Sequence, residues 1–148
     1  MNRLVFTFFL LSSLSDCTTV PNDHFSTPVI VELGNSLAAD AIKQLQTLYP
    51  PAHTKFNIGQ PVPETDSFGT ALVFQMHEKG YAVQTVDPTQ SAEGSDGFNI
   101  LYTVDKPASN LFRGLYRVQL TLGKAILTRA YTAENNTAIP AGAWAKME

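Results

Sequence analysis

The spacing of apolar residues predicts an amphipathic helix over residues 35–49. Four apolar side chains recur there every three or four positions, which places them on one face of a helix. They are Leu37, Ala41, Leu45 and Leu48. Asn35 or Ser36 is the predicted N-cap. The pair Pro50-Pro51 is predicted to end the helix, because a proline disfavours helical geometry in the residue before it.

A second apolar stripe predicts a helix over residues 67–79. Asp66 stands directly before it, where a carboxylate can accept a backbone N–H of the first turn. Gly80 follows it and suits the left-handed conformation in which many helices stop. The stripe includes Leu72, which we expect to be buried.

Segments in which apolar and polar residues alternate predict strands. Three of them are short and surround the second helix; they cover residues 54–59, 81–86 and 98–104. A further β-prone stretch, Val29 to Leu33, is predicted to add an edge strand to the domain or to pair with a partner protein.

The strongest pattern is a β-hairpin near the C-terminus. Val118 and Leu120 belong to an apolar series that alternates with polar residues, so this strand has one dry face. Gly123 and the residue after it form the predicted two-residue turn, of type II′ because glycine comes first. Residues 125–132 are predicted to run back along the first strand.

The predicted elements follow the order strand, helix, strand, helix and then four strands. This order predicts an α+β fold in which two helices pack on a small mixed, mostly antiparallel sheet with a C-terminal β-hairpin. The predicted core includes four residues of the apolar stripes: Leu45, Leu72, Val118 and Leu120. The domain is predicted over residues 34–134. Residues 135–148 are predicted as a C-terminal tail whose Trp144, the only tryptophan, folds back onto the core or, less favoured, docks on a neighbour.

The N-terminal residues predict export. Arg3 supplies a short basic region, and Leu4 to Leu14 is a nearly unbroken apolar stretch. A membrane-spanning helix needs roughly 20 apolar residues, whereas a secretory signal peptide has a shorter apolar region. Residues 1–16 are therefore predicted as a signal peptide, with a buried N-terminal helix as the alternative.

Cys17, the only cysteine, follows the apolar stretch directly. Its position resembles that of the acylated cysteine of a bacterial lipoprotein; the first two positions of the usual signal match, whereas Asp16 departs from it. Cys17 is the predicted lipidation site, with an incidental free thiol as the alternative. Residues 17–33 are predicted as a lipidated flexible tether. Thr18 after the cysteine favours delivery to the outer membrane, with the domain facing the periplasm.

Composition and charge narrow the function classes. The 148 residues include 10 Lys or Arg and 13 Asp or Glu, so the basic excess of a generic nucleic-acid binder is missing. One cysteine allows neither an internal disulfide nor a cysteine-built zinc site. Hydrophobic residues make up 44% of the chain, which is enough for a packed core.

Side chains capable of chemistry are scattered along the sequence. The histidines are His24, His53 and His77. The pair His77-Glu78 lacks the second histidine, four residues on, that a zinc-protease helix requires. Four aspartates are favoured as turn or cap residues over an acid pair: Asp66, Asp87, Asp96 and Asp105. Three arginines are predicted to share the polar face of the hairpin, either solvated or as a partner patch: Arg113, Arg117 and Arg129. The residues predict no catalytic, cofactor-binding or metal-binding site.

Four segments together resemble the TrbH family of conjugal transfer proteins. They are LAADAIKQLQTLYPPAHTKF at 37–56, DSFGTALVFQMHEKGYAV at 66–83, LYRVQLTLGKAILTRAYTAENN at 115–136 and PAGAWAKME at 140–148. The resemblance implies a domain similar to the small N-terminal domain of secretins. It also implies a non-enzymatic outer-membrane lipoprotein of a conjugative type IV secretion system, without a cofactor and without direct contact to nucleic acid. Such a subunit would belong to a ring-shaped core complex beside TrbG-like and TrbI-like subunits.

Two other function classes stay open at this point. One is a solitary periplasmic lipoprotein that binds a small ligand or a cell-wall fragment, which requires a concave pocket with convergent polar groups. The other is a small hydrolase with a dispersed site, which requires two titratable groups within hydrogen-bond reach in such a pocket.

Overall fold

The computed structural model describes residues 28–85, 96–107 and 114–148. These residues form helices α1 (Val31–Leu48) and α2 (Ser67–Glu78), a 3₁₀ turn (Pro51–His53) and seven strands. The strands are β1 (Lys55–Ile58), β2 (Ala82–Thr85), β3 (Phe98–Asp105), β4 (Leu115–Leu122), β5 (Ala125–Glu134), β6 (Thr137–Pro140) and β7 (Ala145–Met147). Several sequence predictions lie outside the described residues; they concern residues 1–16, Cys17, His24, Asp87 and Arg113.

The strands form one mixed sheet in the order β2-β1-β3-β4-β5-β6, and β7 also pairs with β5. β1 runs parallel to both β2 and β3, whereas the later pairs are antiparallel. Parallel neighbours need a long connection, and α2 supplies it between β1 and β2. The predicted α+β class, with two helices and a mixed, mostly antiparallel sheet, is confirmed.

Helix α1 begins one turn earlier than the sequence predicted. It starts at Val31, after an extended Ile30, and no side chain caps it. The predicted edge strand at Val29–Leu33 is therefore wrong, and so are the predicted caps. Asn35 lies inside the helix, as does Ser36, whose hydroxyl accepts a hydrogen bond from β6 instead.

Tertiary packing explains the additional turn. Leu33 and Gly34 are buried in the helix interface, and a Cβ on Gly34 would lie 2.9 Å from the backbone carbon of Ser67 in α2. Burial of an apolar face contributes more to the stability of a helix in a protein than local propensity does. The two helices thus approach closely where the sequence alone showed only a β-prone run.

Helix α2 agrees with its prediction at both ends. The Oδ1 atom of Asp66 accepts the backbone N–H of Gly69 at 2.9 Å, so Asp66 is the N-cap. Gly80 has a φ of +83°, the left-handed conformation expected after the last turn.

The predicted hairpin joins β4 and β5. Leu122 pairs with Ala125 across a two-residue turn, and Gly123 has a φ of +61°, as a type II′ turn requires. Beyond β5, the residues predicted as a tail contain β6 and β7. Asn135 and Asn136 both have positive φ, and they turn the chain from β5 into β6. β6 ends in a proline and β7 has only three residues, so neither shows the longer alternation of apolar and polar residues that predicted the strands at 54–59 and 81–86.

The core lies between the two helices and one face of the sheet. The four residues predicted to belong to it, Leu45, Leu72, Val118 and Leu120, are all fully buried. Large aromatic side chains fill the remaining space; they are Phe56, Phe68, Tyr102 and Tyr131. Two hydrogen bonds connect this face to the helices: the hydroxyl of Tyr102 donates to Asp66 at the start of α2, and that of Tyr131 donates to Asp40 on α1.

Candidate functional site

Asp66 joins the start of α2 to the centre of the sheet. Its Oδ1 atom accepts the N–H of Gly69, and its Oδ2 atom accepts the hydroxyl of Tyr102 at 2.7 Å. The backbone N–H of Tyr102 donates to Oε1 of the buried Gln60 at 2.9 Å, just beyond the end of β1. We name these four residues the Asp66 cluster.

Gly69 makes the close approach of Tyr102 possible. A Cβ at position 69 would lie 1.9 Å from the Tyr102 hydroxyl oxygen, far inside van der Waals contact. Burial, and then the hydrogen bond to Asp66, raise the pKa of Tyr102 well above its usual value. The phenol therefore stays protonated, and its O–H donates a hydrogen bond to the Asp66 carboxylate.

Asp40 lies in the middle of α1, and one of its carboxylate oxygens accepts three hydrogen bonds. Its Oδ2 atom accepts Nη1 of Arg129 at 2.8 Å, the hydroxyl of Tyr131 at 2.8 Å and Nε1 of Trp144 at 3.1 Å. The Asp40 and Arg129 side chains are only 23% and 19% exposed. We name these four residues the Asp40 cluster.

The Asp40 cluster fastens the C-terminal residues to the domain. Nε of Arg129 donates to the carbonyl of Gly142 at 2.7 Å, and the ring of Trp144 meets that of Tyr131 edge to face. The prediction that Trp144 folds back onto the core is confirmed. Sequence reasoning missed Asp40. The available signal was its position as the only carboxylate of α1 beyond the first turn, where aspartate is a poor helix former.

Both clusters are suited to holding elements together. Burial, and then the hydrogen bond to Asp40, raise the pKa of Tyr131 well above its usual value, as happens for Tyr102. In each cluster a carboxylate accepts a hydrogen bond from another element: Asp66 from β3 as well as from its own helix, and Asp40 from β5 and the C-terminal residues. Such an arrangement fixes relative positions, because charge-assisted hydrogen bonds are among the stronger ones in proteins.

The other residues singled out in the sequence stay apart. His53 lies on the 3₁₀ turn and His77 on α2, both exposed, and Asp96 is exposed ahead of β3. Across residues 28–85, 96–107 and 114–148, no three His, Cys, Asp or Glu side chains come close enough to hold a metal ion. In the same ranges, neither helix has the length and apolar character needed to cross a membrane.

The prediction that Arg117 and Arg129 share a polar face is wrong. Arg129 pairs across the hairpin with Val118, which is buried against the helices, so Arg129 lies on the helix face. Arg117 lies on the opposite face. There its guanidinium makes a two-point ion pair with Asp105, with Nε to Oδ1 at 3.0 Å, and this hydrogen bond raises the pKa of Arg117.

The sequence held the signal for this correction. A two-residue turn at Gly123 makes Leu122 and Ala125 partners. Counting back from that pair brings Val118 opposite Arg129, and partners across a hairpin share a face. The prediction was wrong because it placed Arg129 on the polar face from its charge, instead of deriving its face from the hairpin register.

The face of the sheet away from the helices carries an uncharged surface. Strand register sets its side chains in two rows across β3, β4, β5 and β7. The first row is Leu101, Thr121, Ile126 and Met147, and the second is Thr103, Gln119, Thr128 and Ala145. All eight side chains are half-buried or exposed, and the Asp105–Arg117 ion pair borders the second row. We name these eight residues the open face.

Comparison with known proteins identifies one similarity. The family model of conjugal transfer protein TrbH matches residues 20–148. That range contains both carboxylate clusters and the open face. No curated protein and no solved structure matches the chain.

Proposed function

The chain belongs to the TrbH family of conjugal transfer proteins, and from this premise we propose that it is a lipid-anchored structural subunit of a conjugative type IV secretion system. It is held at the outer membrane with its domain in the periplasm. Its task is to support the assembly of the core channel through which DNA is transferred. It acts by binding other subunits, without turnover of a substrate.

The use of the two part-buried carboxylates supports a non-enzymatic role. Asp40 joins α1 to β5 and to the C-terminal residues, with donors that are 89, 91 and 104 positions away in the chain. Asp66 joins α2 to β3 over 36 positions. Both carboxylates accept hydrogen bonds from the protein's own donors, as expected of side chains that hold elements together. A subunit that presents surfaces to its neighbours needs such fixed internal geometry.

The N-terminal sequence supports the anchor. Cys17 follows the apolar stretch of the predicted signal peptide, and the described fold begins at Pro28. The intervening residues, 18–27, span up to about 35 Å when extended, which leaves the domain room to reach partners near the membrane. Each buried methylene of an acyl chain contributes about 0.8 kcal/mol to anchoring, so several chains hold a protein without a spanning helix.

The partners we propose are TrbG-like and TrbI-like subunits, within a ring-shaped core complex. This part rests on the family and on the resemblance that the four sequence segments carry. The alternative is a solitary periplasmic lipoprotein that binds a small ligand or a cell-wall fragment. The two differ in a simple respect, because only a channel subunit is required for mating.

Mating efficiency tests the role directly. Donor cells that lack the protein should lose DNA transfer and regain it with the wild-type chain. Co-purification of the chain from donor membranes should recover the other core subunits. Normal transfer in the deletion strain, with no core subunit recovered, would instead favour the solitary lipoprotein. Substrate turnover that depends on Asp40 or Asp66 in a folded variant would overturn the non-enzymatic role.

Cys17→Ser tests the anchor. Labelling with a fatty-acid analogue should mark the wild type and a Thr18→Ser control, but not Cys17→Ser. The Cys17→Ser protein should also leave the outer-membrane fraction, and transfer should fall. Equal labelling of all three chains would show that Cys17 is not the acylated residue.

A further inference from the structure

The two edges of the sheet are built differently. One edge is β2, and the other is shared by β6 and β7, which both pair with β5. The outer side of an edge strand carries backbone N–H and C=O groups that no neighbouring strand satisfies. Proteins shield such groups with prolines, bulges, charged side chains or covering elements. An edge without such shielding is open to a further strand.

The edge formed by β6 and β7 is one strand that a bulge interrupts. Along β5, only Arg129 and Ala130 separate the partner of Pro140 from the partner of Ala145. On the edge itself, the four residues 141–144 cover the same distance, so two of them are extra. A bulge of this kind disrupts the ladder and leaves no continuous row of backbone groups for another chain.

Other groups shield this edge as well. The backbone N–H of Ala138 in β6 donates to the hydroxyl of Ser36 on α1 at 3.0 Å. Pro140, at the end of β6, has no N–H to donate. Within the bulge, the carbonyl of Gly142 accepts Nε of Arg129 at 2.7 Å. These groups are used within the domain, so this edge is closed to a further strand.

β2 has none of these features. Its four residues pair with β1 in an unbroken register and include neither a proline nor a charged residue. Ala82, Gln84 and Thr85 are exposed. Val83 is the partner of the fully buried Phe56 and packs against the core, yet it is only half-buried. Among the strands of the described residues, β1 alone pairs with β2, so the other side of β2 is an open edge.

We propose that the edge of β2 accepts an extended segment of another core subunit of the secretion complex. The proposal rests on the proposed function and assigns the surface through which the domain binds. When a strand is added to a sheet, main-chain hydrogen bonds supply the affinity and side chains beside the edge supply the specificity. The added strand would cover Val83, so the partner segment is expected to be free of proline and to place an apolar side chain beside it.

The chain's own N-terminal segment is too short to occupy this edge. It leads into α1, which lies beside β6 because Ser36 binds Ala138. Five strand spacings separate β6 from β2, which amounts to about 24 Å. An extended chain needs about seven residues to cross that distance. Of residues 18–27, about three would then be left to pair with β2.

A second copy of the chain is less suited than another subunit. Of its two edges, one is interrupted by the bulge and the other is β2, with four residues. Two such strands would pair over only about 13 Å, which is too short to hold two free domains together. Another subunit makes further contacts within the complex, and attachment to one membrane raises the effective concentration of both partners.

Proline substitutions in β2 test the proposal, because each removes one backbone N–H. Successive N–H groups of a strand point to opposite sides, so one of Gln84 and Thr85 directs its N–H towards β1 and the other directs it outwards. The inward proline breaks a hydrogen bond to β1 and should lower the melting temperature. The outward proline is tolerated at an edge and should melt within about 3 °C of the wild type.

The stable proline variant should lose binding. Gln84→Pro and Thr85→Pro are expressed as full chains in donor cells that lack the protein. The stable one should recover about tenfold less of the other core subunits from donor membranes, and transfer should fall at unchanged abundance. Gln84→Ala and Thr85→Ala are the matched controls. They keep the N–H and should behave as the wild type does.

Four results would overturn the proposal. Destabilisation by both prolines would show that the outer N–H is already bonded within the single chain. Normal recovery with the stable proline variant would show that no strand is added at β2. The same loss with alanine would assign binding to a side chain. Loss of a differently tagged second copy, with the core subunits still recovered, would assign the edge to a dimer. In each case the wild-type chain still restores transfer, whereas the proposed function fails only if transfer does not need the protein.

Discussion

The two faces of the sheet use the same strands in opposite ways. On the helix face, polar side chains connect distant parts of the chain: Arg129 binds Asp40 on α1 and the backbone carbonyl of Gly142, which lies beyond β6. At the border of the open face, Arg117 forms an ion pair with Asp105, its neighbour across the strand pair. Both arginines belong to one hairpin. The two arginines carry the same charge. The face of the sheet on which each one lies therefore decides whether it binds distant elements of the domain or only borders solvent.

The comparison also separates two kinds of contribution. Contacts on the helix face hold elements against each other, so their loss should lower the free energy of unfolding. Contacts on the open face are partly solvated within one copy, so their loss should matter little to folding of that copy. Matched substitutions on the two faces can test this distinction.

The largest difference is expected for leucine. Leu120→Ala removes a fully buried side chain and should lower the free energy of unfolding by roughly 2–5 kcal/mol. Leu101→Ala, on the open face, removes a half-buried one and should cost roughly 1 kcal/mol or less. Urea unfolding of dilute protein measures both. Equal losses would mean that the open face is packed within the single chain.

A smaller difference is expected for arginine. Arg129→Ala leaves Asp40 and the carbonyl of Gly142 without their charged donor and should cost roughly 1.5–3 kcal/mol. Arg117→Ala breaks an exposed ion pair, worth roughly 0–1 kcal/mol. Trp144, the only tryptophan, donates to Asp40, so its fluorescence should change in the Arg129 variant alone. An unchanged spectrum with both variants would contradict the role assigned to the Asp40 cluster.

The smallest difference is expected for glycine. Gly69→Ala forces a Cβ against the buried Tyr102 hydroxyl and should cost roughly 1–3 kcal/mol. Gly59→Ala meets only the tip of the Leu101 side chain, at 3.0 Å, and should cost less than about 1 kcal/mol. Calorimetric melting measures both.

Tyr102→Phe provides the check on the glycine result. The substitution removes the oxygen that the alanine Cβ would meet, so adding it to Gly69→Ala should cost less than adding it to the wild type. Additive losses would show that the overlap with the Tyr102 hydroxyl oxygen is not the cause, which would leave the overlaps with Oδ2 of Asp66 at 2.6 Å and Cζ of Tyr102 at 2.7 Å.

The local parts of the fold could be read from the sequence. Helix α2 is capped by Asp66 and followed by a left-handed Gly80, and the hairpin turns at Gly123, all as predicted. Each of these depends on residues a few positions apart. Where the deciding contact is distant, as for the first turn of α1 against Ser67, the prediction failed.

The candidate site could be read only in part. The folding back of Trp144 was predicted, but its acceptor was not, because nothing near Asp40 in the sequence marks it as an acceptor. The side of the sheet on which Arg129 lies was available from the hairpin register but was assigned from its charge. The pairing of β6 and β7 with β5 was missed because β6 ends in a proline and β7 has only three residues, so neither gives a clear strand pattern.

By itself, the sequence determined the two amphipathic helices, the hairpin, the core positions and the resemblance to a transfer-protein family, because periodicity and turn chemistry are local properties. Only the tertiary structure decided which carboxylates bind which donors, where α1 begins, and that a neutral face of the sheet is left uncovered by the helices. These depend on distances between residues that lie 33 to 104 positions apart. Side chains so far apart in the chain come into contact only after the helices have packed on the sheet. No local sequence pattern predicts such contacts.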